Sequence, residues 1–381
     1  MSAWLAGGVF DTAPDDDDAE LRLLVDDIGR RSFDERPGNR HAPERLDDVL
    51  WRTLEETGLA RLTSSADLGA GPGELAVVLR GLAHHAGAVP IAETDLLAAW
   101  LGALAGLELP DGPLTVAIAD ADLSGGQVTG IAVDVPWTRA AAAAVLAARS
   151  GDVLYTGILD LDDIVIDDGH NLAGEPRDRI SFDLPAAALQ TLDPSVGAEL
   201  QRRGAWARCC QILGALDAAA ELSVAHTRAR VQFGRPLSSF QAVQHALAAM
   251  AGEIERARAA ATLAVAAAAD YGFSAEQTDY AVTIAKVALG QAVGPVTTIA
   301  HQLHGAIGVT AEHPLWFATL RARSWTGEFG TTGHHARRLG RAALAAGPTG
   351  TGLWDVLIGN NLNGLTERDT TWRKSYDSSG I

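Results

Sequence analysis

Arg230-Val-Gln-Phe-Gly-Arg-Pro-Leu-Ser-Ser-Phe-Gln241 separates two strongly periodic apolar segments. Upstream, Trp206, Cys209, Leu213, Leu216 and Ala220 recur at steps of three and four, which places them on one face of a helix. Downstream, Phe240, Val243, Leu247, Met250, Ile254 and Ala257 keep the same step. Gly234 and Pro236 interrupt the helical pattern between them, so the stretch predicts two long helices joined by a tight basic turn, a hairpin from a helical bundle.

Working outward, helices are expected near residues 197–230, 238–270, 275–303 and 313–345, with Tyr280, Ile284 and Val287 marking the third. Four long helices with short links make an antiparallel bundle over 191–346. Residues 1–112 also read as helical, with stripes such as Leu21, Leu24, Val25 and Ile28, and with Asp67 to Gly73 as a loop. From Leu114 the period changes. Leu114 to Ala119, Gln127 to Val135, Val153 to Ile158 and Asp163 to Ile166 are short alternating or β-branched segments, predicting a small β domain over 113–190. The fold class is therefore mainly α with a small central β domain, followed by an irregular tail over 347–381.

The chain has 381 residues, more than one hydrophobic core usually serves, so several packed domains are expected. A net charge of −18 argues against nucleic-acid or anionic-membrane partners. The only two cysteines, Cys209 and Cys210, are adjacent in a helical pattern and point to different faces, which excludes a structural disulfide between them. No histidine cluster appears at ligand spacing along the sequence, so no metal is expected. Met1 to Phe10 lacks a charged segment followed by a long apolar core, and no uninterrupted apolar run reaches membrane-spanning length, so a cytoplasmic location is expected.

The Arg230–Gln241 stretch resembles the signature of the C-terminal helical domain of acyl-CoA dehydrogenases, Arg-x-x-Phe-Gly-x-Pro-Leu-x-x-Phe-Gln. Two further stretches follow in the family's order. Gln302-Leu-His-Gly-Ala-Ile-Gly308 is similar to its Gln-x-x-Gly-Gly-x-Gly, with Ala306 in place of the second glycine, and Leu353-Trp354 lies near the end. The resemblance spans most of the chain and is strongest from Val196 to Leu344. It implies an N-terminal helical domain, a middle β domain and a C-terminal four-helix bundle, with FAD as cofactor and an acyl-CoA as substrate.

It also implies roles for individual residues. Arg230 and Phe233 would touch the adenine and diphosphate of an FAD bound in a neighbouring subunit, where a planar guanidinium can donate two parallel hydrogen bonds. Gln302 and Gly305 would meet the same cofactor, Gly305 because a backbone without a side chain can approach closely. Gly330 and Thr331 align with the Gly-Thr of the family's Glu-Gly-Thr, making Thr331 a further cofactor contact. The family removes the proton α to the thioester with a carboxylate while hydride leaves the β carbon for the flavin. Phe329 stands at the usual glutamate, and Glu328 precedes it by one residue. The family's other base position falls near Gly204 and is also empty. Either Glu328 serves from a shifted place, or the chain has no base; its surface alternative is an ion pair with Arg321 or Arg323. His301 and His304 read as packed or cofactor-edge residues, His334 and His335 as solvated helix residues, and Trp325 as core.

The flavin-ring segments of the family, Thr-Glu-Pro-x-x-Gly-Ser and Trp-Ile-Thr/Ser, are absent: after Asp120 the chain runs directly into Ser124-Gly-Gly-Gln-Val-Thr-Gly130. Together with the displaced carboxylate, this resembles the divergent subunit of actinobacterial α2β2 heterotetramers acting on sterol-derived or other bulky acyl-CoA thioesters. The expected partners are a second dehydrogenase subunit and an electron-transfer flavoprotein. A non-catalytic structural subunit, and a homo-oligomeric flavoenzyme with other desaturation or oxygenation chemistry, remain as alternatives.

Overall fold

The computed structural model describes residues 16–34, 44–161 and 164–345; the tail expected over 347–381 lies outside them, as does Asp163 of the fourth expected strand. The chain divides into two units. Helices α1 (Asp16–Asp34), α2 (Asp48–Glu56) and α3 (Pro72–His84) open it; α1 and α3 belong to a helical unit completed by the chain from Ala205, and α2 belongs to a unit built on a sheet. The first hundred residues are thus shared between the two.

In the sheet unit, a π-helical stretch, Ala92–Ala99, continues as α4 (Trp100–Ala105). All of Ala92–Ala99 is buried, including two carboxylates. A buried carboxylate must find donors. Asp95 accepts from the Thr63 amide and hydroxyl and from the Ser64 amide at 2.7–3.1 Å, which pins the loop after Leu62. Thr94 donates its hydroxyl to the Leu114 carbonyl at 3.1 Å and accepts the Leu114 amide at 2.9 Å, tying the π-helical stretch to the first strand.

The sheet comprises β1 (Leu114–Ser124), β2 (Gln127–Pro136), β3 (Ala143–Ser150), β4 (Val153–Leu159), β5 (Val165–Asp167), β6 (Arg177–Pro185) and β7 (Gln190–Leu192), in the order β5-β6-β2-β1-β3-β4-β7. Only β1 and β3 run parallel; the other pairs are antiparallel. β1 pairs β3 over Leu114 to Asp120 and β2 over Ala121 to Ser124. The alanine run before Arg149, not expected as a strand, is β3. Ala143 to Ala148 are all buried between β1 and β4, and an interior strand covered on both faces tolerates a continuous apolar run whatever its intrinsic helix preference. β1 and β2 meet in a two-residue turn with Gly125 and Gly126 both at positive φ, +59° and +79°, the geometry of a type I′ hairpin.

The helical unit continues with α5 (Pro194–Ala229), of which the part from Ala205 belongs to it, then a ribbon of β8 (Val231–Gln232) and β9 (Arg235–Pro236), α6 (Gln241–Tyr271), α7 (Glu276–His304), α8 (Leu315–Trp325) and α9 (Thr332–Ala345). α3 and α5 approach so closely that a Cβ on Gly214 would stand 2.1 Å from the Arg80 carbonyl oxygen. Beside that contact Asp217 accepts from Arg80 at 2.8 Å and Arg258 at 2.6 Å, linking α3, α5 and α6. Trp206 donates its indole N–H to the Ala264 carbonyl at 3.2 Å and meets Phe273 edge-on. By length and composition α7 with the turn after it is apolar enough to cross a membrane, although Lys286, Gln291 and His301 interrupt its apolar run; in the fold its buried face, from Thr278 to His304, forms part of the bundle core.

The single helix expected over 313–345 is two helices. α8 stops at Trp325, and the link to α9 holds Phe329 and Gly330 at φ +52° and +94°. The Lys286 ammonium, buried on α7, donates to the carbonyls of Trp325, Thr326 and Glu328 at 3.4, 3.3 and 2.7 Å. A cation set on the carbonyls of a helix end supplies a donor to groups that a continuing helix would have paired within itself.

Candidate functional site

The residues singled out in the sequence gather in two places, both within the helical unit. The first is the end where α5 gives way to the ribbon. The Arg230 amide still bonds the His226 carbonyl at 2.8 Å, and the Leu237 amide returns to the Arg230 carbonyl at 2.9 Å. Between them Phe233 and Gly234 form the two-residue turn of the ribbon, both at positive φ, +52° and +79°. That geometry suits Gly234 and strains Phe233. Phe233 is nevertheless 90 % exposed, touching within its own chain the edge of Phe240, and Arg230 is exposed beside it.

The C-terminal end of α7 lies alongside. The His226 ring stacks on His304 at 4.5 Å between centroids, which brings Arg230 and Phe233 to the same end of the bundle as Gln302 and Gly305. Gln302 is exposed, and Gly305 stops the helix at φ +63°, ψ −143°, a conformation close to one reserved for glycine. Space is open where its Cβ would be. His313, in the link to α8, meets His304 at 4.7 Å between ring centroids. The sequence shows no histidine cluster; the fold makes one from residues 78 and 9 positions apart, His226, His304 and His313, whose ligand nitrogens lie within 4.8 Å of one another.

The second place is the α8–α9 link. Glu328 accepts from Arg208 Nε of α5 at 2.6 Å, in an ion pair whose guanidinium is 1 % exposed and whose carboxylate is 17 % exposed. Arg208 also donates to Gln211 at 2.6 Å and lies over the Phe329 ring. Burial brings the Lys286 ammonium down to about 8, despite the opposing influence of Cys209 and Glu328, and sends the Cys209 thiol up to about 12, so that thiol is inert. Thr331 caps α9, its hydroxyl accepting the His334 amide at 3.1 Å. His335 is not a solvated residue. It is 5 % exposed and donates Nε2–H to the Phe329 carbonyl at 3.1 Å, and burial, reinforced by Lys286, lowers its pKa to about 3. Arg208 was missed by sequence reasoning; the available signal was an arginine inside the otherwise apolar run from Ala205 to Cys210.

Comparison with known proteins bears on this arrangement. Residues 201–344, the span that holds both places, match the C-terminal domain model of acyl-CoA dehydrogenases. That stretch carries an acyl-CoA dehydrogenase C-terminal domain. The chain is 29 % identical over 280 residues to the acyl-CoA dehydrogenase IpdE2 of Mycobacterium tuberculosis, covering 72 % of this chain and 80 % of that one. Its fold is similar to that in the ChsE4-ChsE5 complex from Mycobacterium tuberculosis, at a TM-score of 0.77 and 24 % identity, covering 88 % of this chain and 99 % of that chain. Butyryl-CoA dehydrogenase from Megasphaera elsdenii shares the fold at a TM-score of 0.74 and 20 % identity, over 88 % of this chain and all of the other. FAD is the cofactor of acyl-CoA dehydrogenases, and the first place fits part of it. It offers an exposed guanidinium for phosphate oxygens, an exposed aromatic ring for stacking, and a glycine at the end of α7 with open space beside its backbone.

Proposed function

We propose that this chain is one subunit of a hetero-oligomeric FAD-dependent acyl-CoA dehydrogenase, lending Arg230, Phe233, Gln302 and Gly305 to a cofactor held chiefly by a partner dehydrogenase chain. The observation that carries the reading is the ribbon turn. A phenylalanine held at positive φ and 90 % exposed gains little from its own fold, whereas a ring and a guanidinium presented side by side suit a cofactor on a neighbouring chain. The tight Gly125-Gly126 turn, at the place where the family's flavin-ring loop is missing from the sequence, favours the same division of labour. Bound there, FAD would accept the hydride from the β carbon of the acyl-CoA.

The α proton needs a carboxylate free to reach the substrate. Glu328 is the carboxylate beside the Gly330-Thr331 turn, and its 2.6 Å pair ties it to the buried Arg208 guanidinium. We therefore assign Glu328 to charge compensation and the proton abstraction to the partner chain; Glu328 as base is the second reading, favoured by its partial exposure. Thr331, engaged as a helix cap, contributes to the cofactor only through its backbone. The substrate is assigned to the bulky acyl-CoA thioesters, sterol-derived ones included, because a complex described as a steroid acyl-CoA dehydrogenase is among the fold's neighbours. An electron-transfer flavoprotein in the cytoplasm completes the proposal as re-oxidant.

The test is the visible spectrum and elution volume of the protein purified alone and after co-expression with a dehydrogenase encoded beside it. Colourless protein that gains flavin bands and mass with the partner, and loses flavin on Arg230→Ala or Phe233→Ala, bears the proposal out. Flavin bands and activity in the lone chain would overturn it in favour of a self-sufficient homo-oligomer.

A further inference from the structure

We infer that His226, His304 and His313 form a binding site for a borderline divalent metal ion of the zinc class, joining the end of α5, the end of α7 and the start of α8. Three imidazoles from three segments converge at one point, their ligand nitrogens within 4.8 Å. A nitrogen-bound zinc needs bonds of about 2.0–2.1 Å and therefore ligand nitrogens about 3.4 Å apart. Small side-chain rotations close the difference.

The central ring is already oriented. His304 is 5 % exposed, and its Nδ1 lies 2.8 Å from the Ala300 carbonyl, which cannot donate, so Nδ1 carries the hydrogen. Nε2 is then a lone-pair nitrogen, and it is buried without a hydrogen-bond partner. Such an orphaned acceptor calls for an explanation, and an imidazole fixed through its far nitrogen by a carbonyl is the usual outer-shell arrangement of a metal ligand. The Leu222 backbone is a further polar neighbour acting on this ring. Burial lowers the pKa of all three rings, His313 to about 4, and histidine neighbours add to it at His226 and His313, so the neutral imidazoles offer lone pairs at neutral pH.

Two features oppose the site and are outweighed. Leu315 donates its amide to His313 Nδ1 at 3.1 Å, so that hydrogen bond or the ring tautomer must change on coordination, a small loss beside three metal–nitrogen bonds. Arg230 is near enough to act on His226, but it is exposed and its charge is screened. His226 and His313 are half-buried, so the fourth position faces water. The ion would hold His226 one helical turn before Arg230 and His304 next to Gly305, and so would brace the end of the bundle that presents both. The inference rests on the three rings and stands or falls apart from the flavin assignment.

The experiment is zinc titration of the full-length, tag-free protein after chelator treatment, by calorimetry and by metal analysis of the dialysed protein. The expected result is one equivalent per chain, with affinity reduced at least about a hundredfold in His226→Gln and in His313→Gln separately, and unchanged in His170→Gln, an exposed histidine of the sheet unit. Thermal melts of the variants without metal should match the parent, while added zinc should raise the melting temperature of the parent and of His170→Gln but not of His226→Gln or His313→Gln. Failure of the parent to bind zinc, binding undiminished when His226→Gln and His313→Gln are combined, or loss in only one of the two single variants would overturn a three-histidine site.

Discussion

Glu328→Gln separates a structural carboxylate from a catalytic one. The substitution keeps the shape of the side chain and removes the charge that faces Arg208, a guanidinium 1 % exposed. Breaking a buried pair from one side costs about 3–5 kcal/mol, because the remaining charge stays out of water. Two features place this pair at the lower end. Glu328 is 17 % exposed, so water screens part of its charge, and Arg208 keeps Gln211 at 2.6 Å and the Phe329 ring. About 3 kcal/mol is expected, a large share of the 5–15 kcal/mol that usually holds a domain together. In urea, with a slope of about 3 kcal/mol per molar, the midpoint should fall by about 1 M. The Arg208→Met, Glu328→Gln double variant should lose much less than the two singles summed, since neither charge is then stranded. Dehydrogenation by the assembled complex, measured at a temperature where the variant is folded, should stay within about tenfold of the parent. A midpoint shift under about 0.2 M together with a rate loss of three or more orders of magnitude would refute the reasoning and make Glu328 the base.

Asp217→Asn should destabilise by about 3 kcal/mol in the same assay, since it strips Arg258 of its 2.6 Å partner while Glu255 at 3.2 Å retains part of the pairing. Gly214→Ala gains about 1 kcal/mol of helix preference, yet it drives a methyl to 2.1 Å from the Arg80 carbonyl; a net loss of about 2–3 kcal/mol is expected, read as a lower melting temperature. His335 takes up its proton near pH 6.5 when unfolded and near 3 when folded, so the unfolded state binds more protons in that window and stability falls as pH drops through it, by about 1.4 kcal/mol per unit. His313, lowered to about 4, adds to this slope, and His335→Gln should flatten it in denaturation curves taken from pH 7 to 4.

Much of this protein is written in local pattern. The step of three and four around Trp206 to Ala220 and Phe240 to Ala257, with Gly234 and Pro236 between, sufficed for the helical hairpin, because helix period and backbone-breaking residues are properties of neighbours in sequence. The Arg-x-x-Phe-Gly turn carried the family for the same reason: its geometry depends on a few consecutive residues. What the sequence leaves open is decided between segments far apart in the chain. The alanines of β3 become an interior strand because β1 and β4 cover them, which overrides their helix preference. The last bundle helix breaks where Lys286, about forty residues upstream, captures its terminal carbonyls. Glu328 meets Arg208, 120 positions away in sequence. Three histidines scattered over 88 positions meet because three helix ends do. Period and turn chemistry are local energies legible in a string; charge pairing, burial and ligand clusters are energies of proximity, and only the folded chain determines who is near whom.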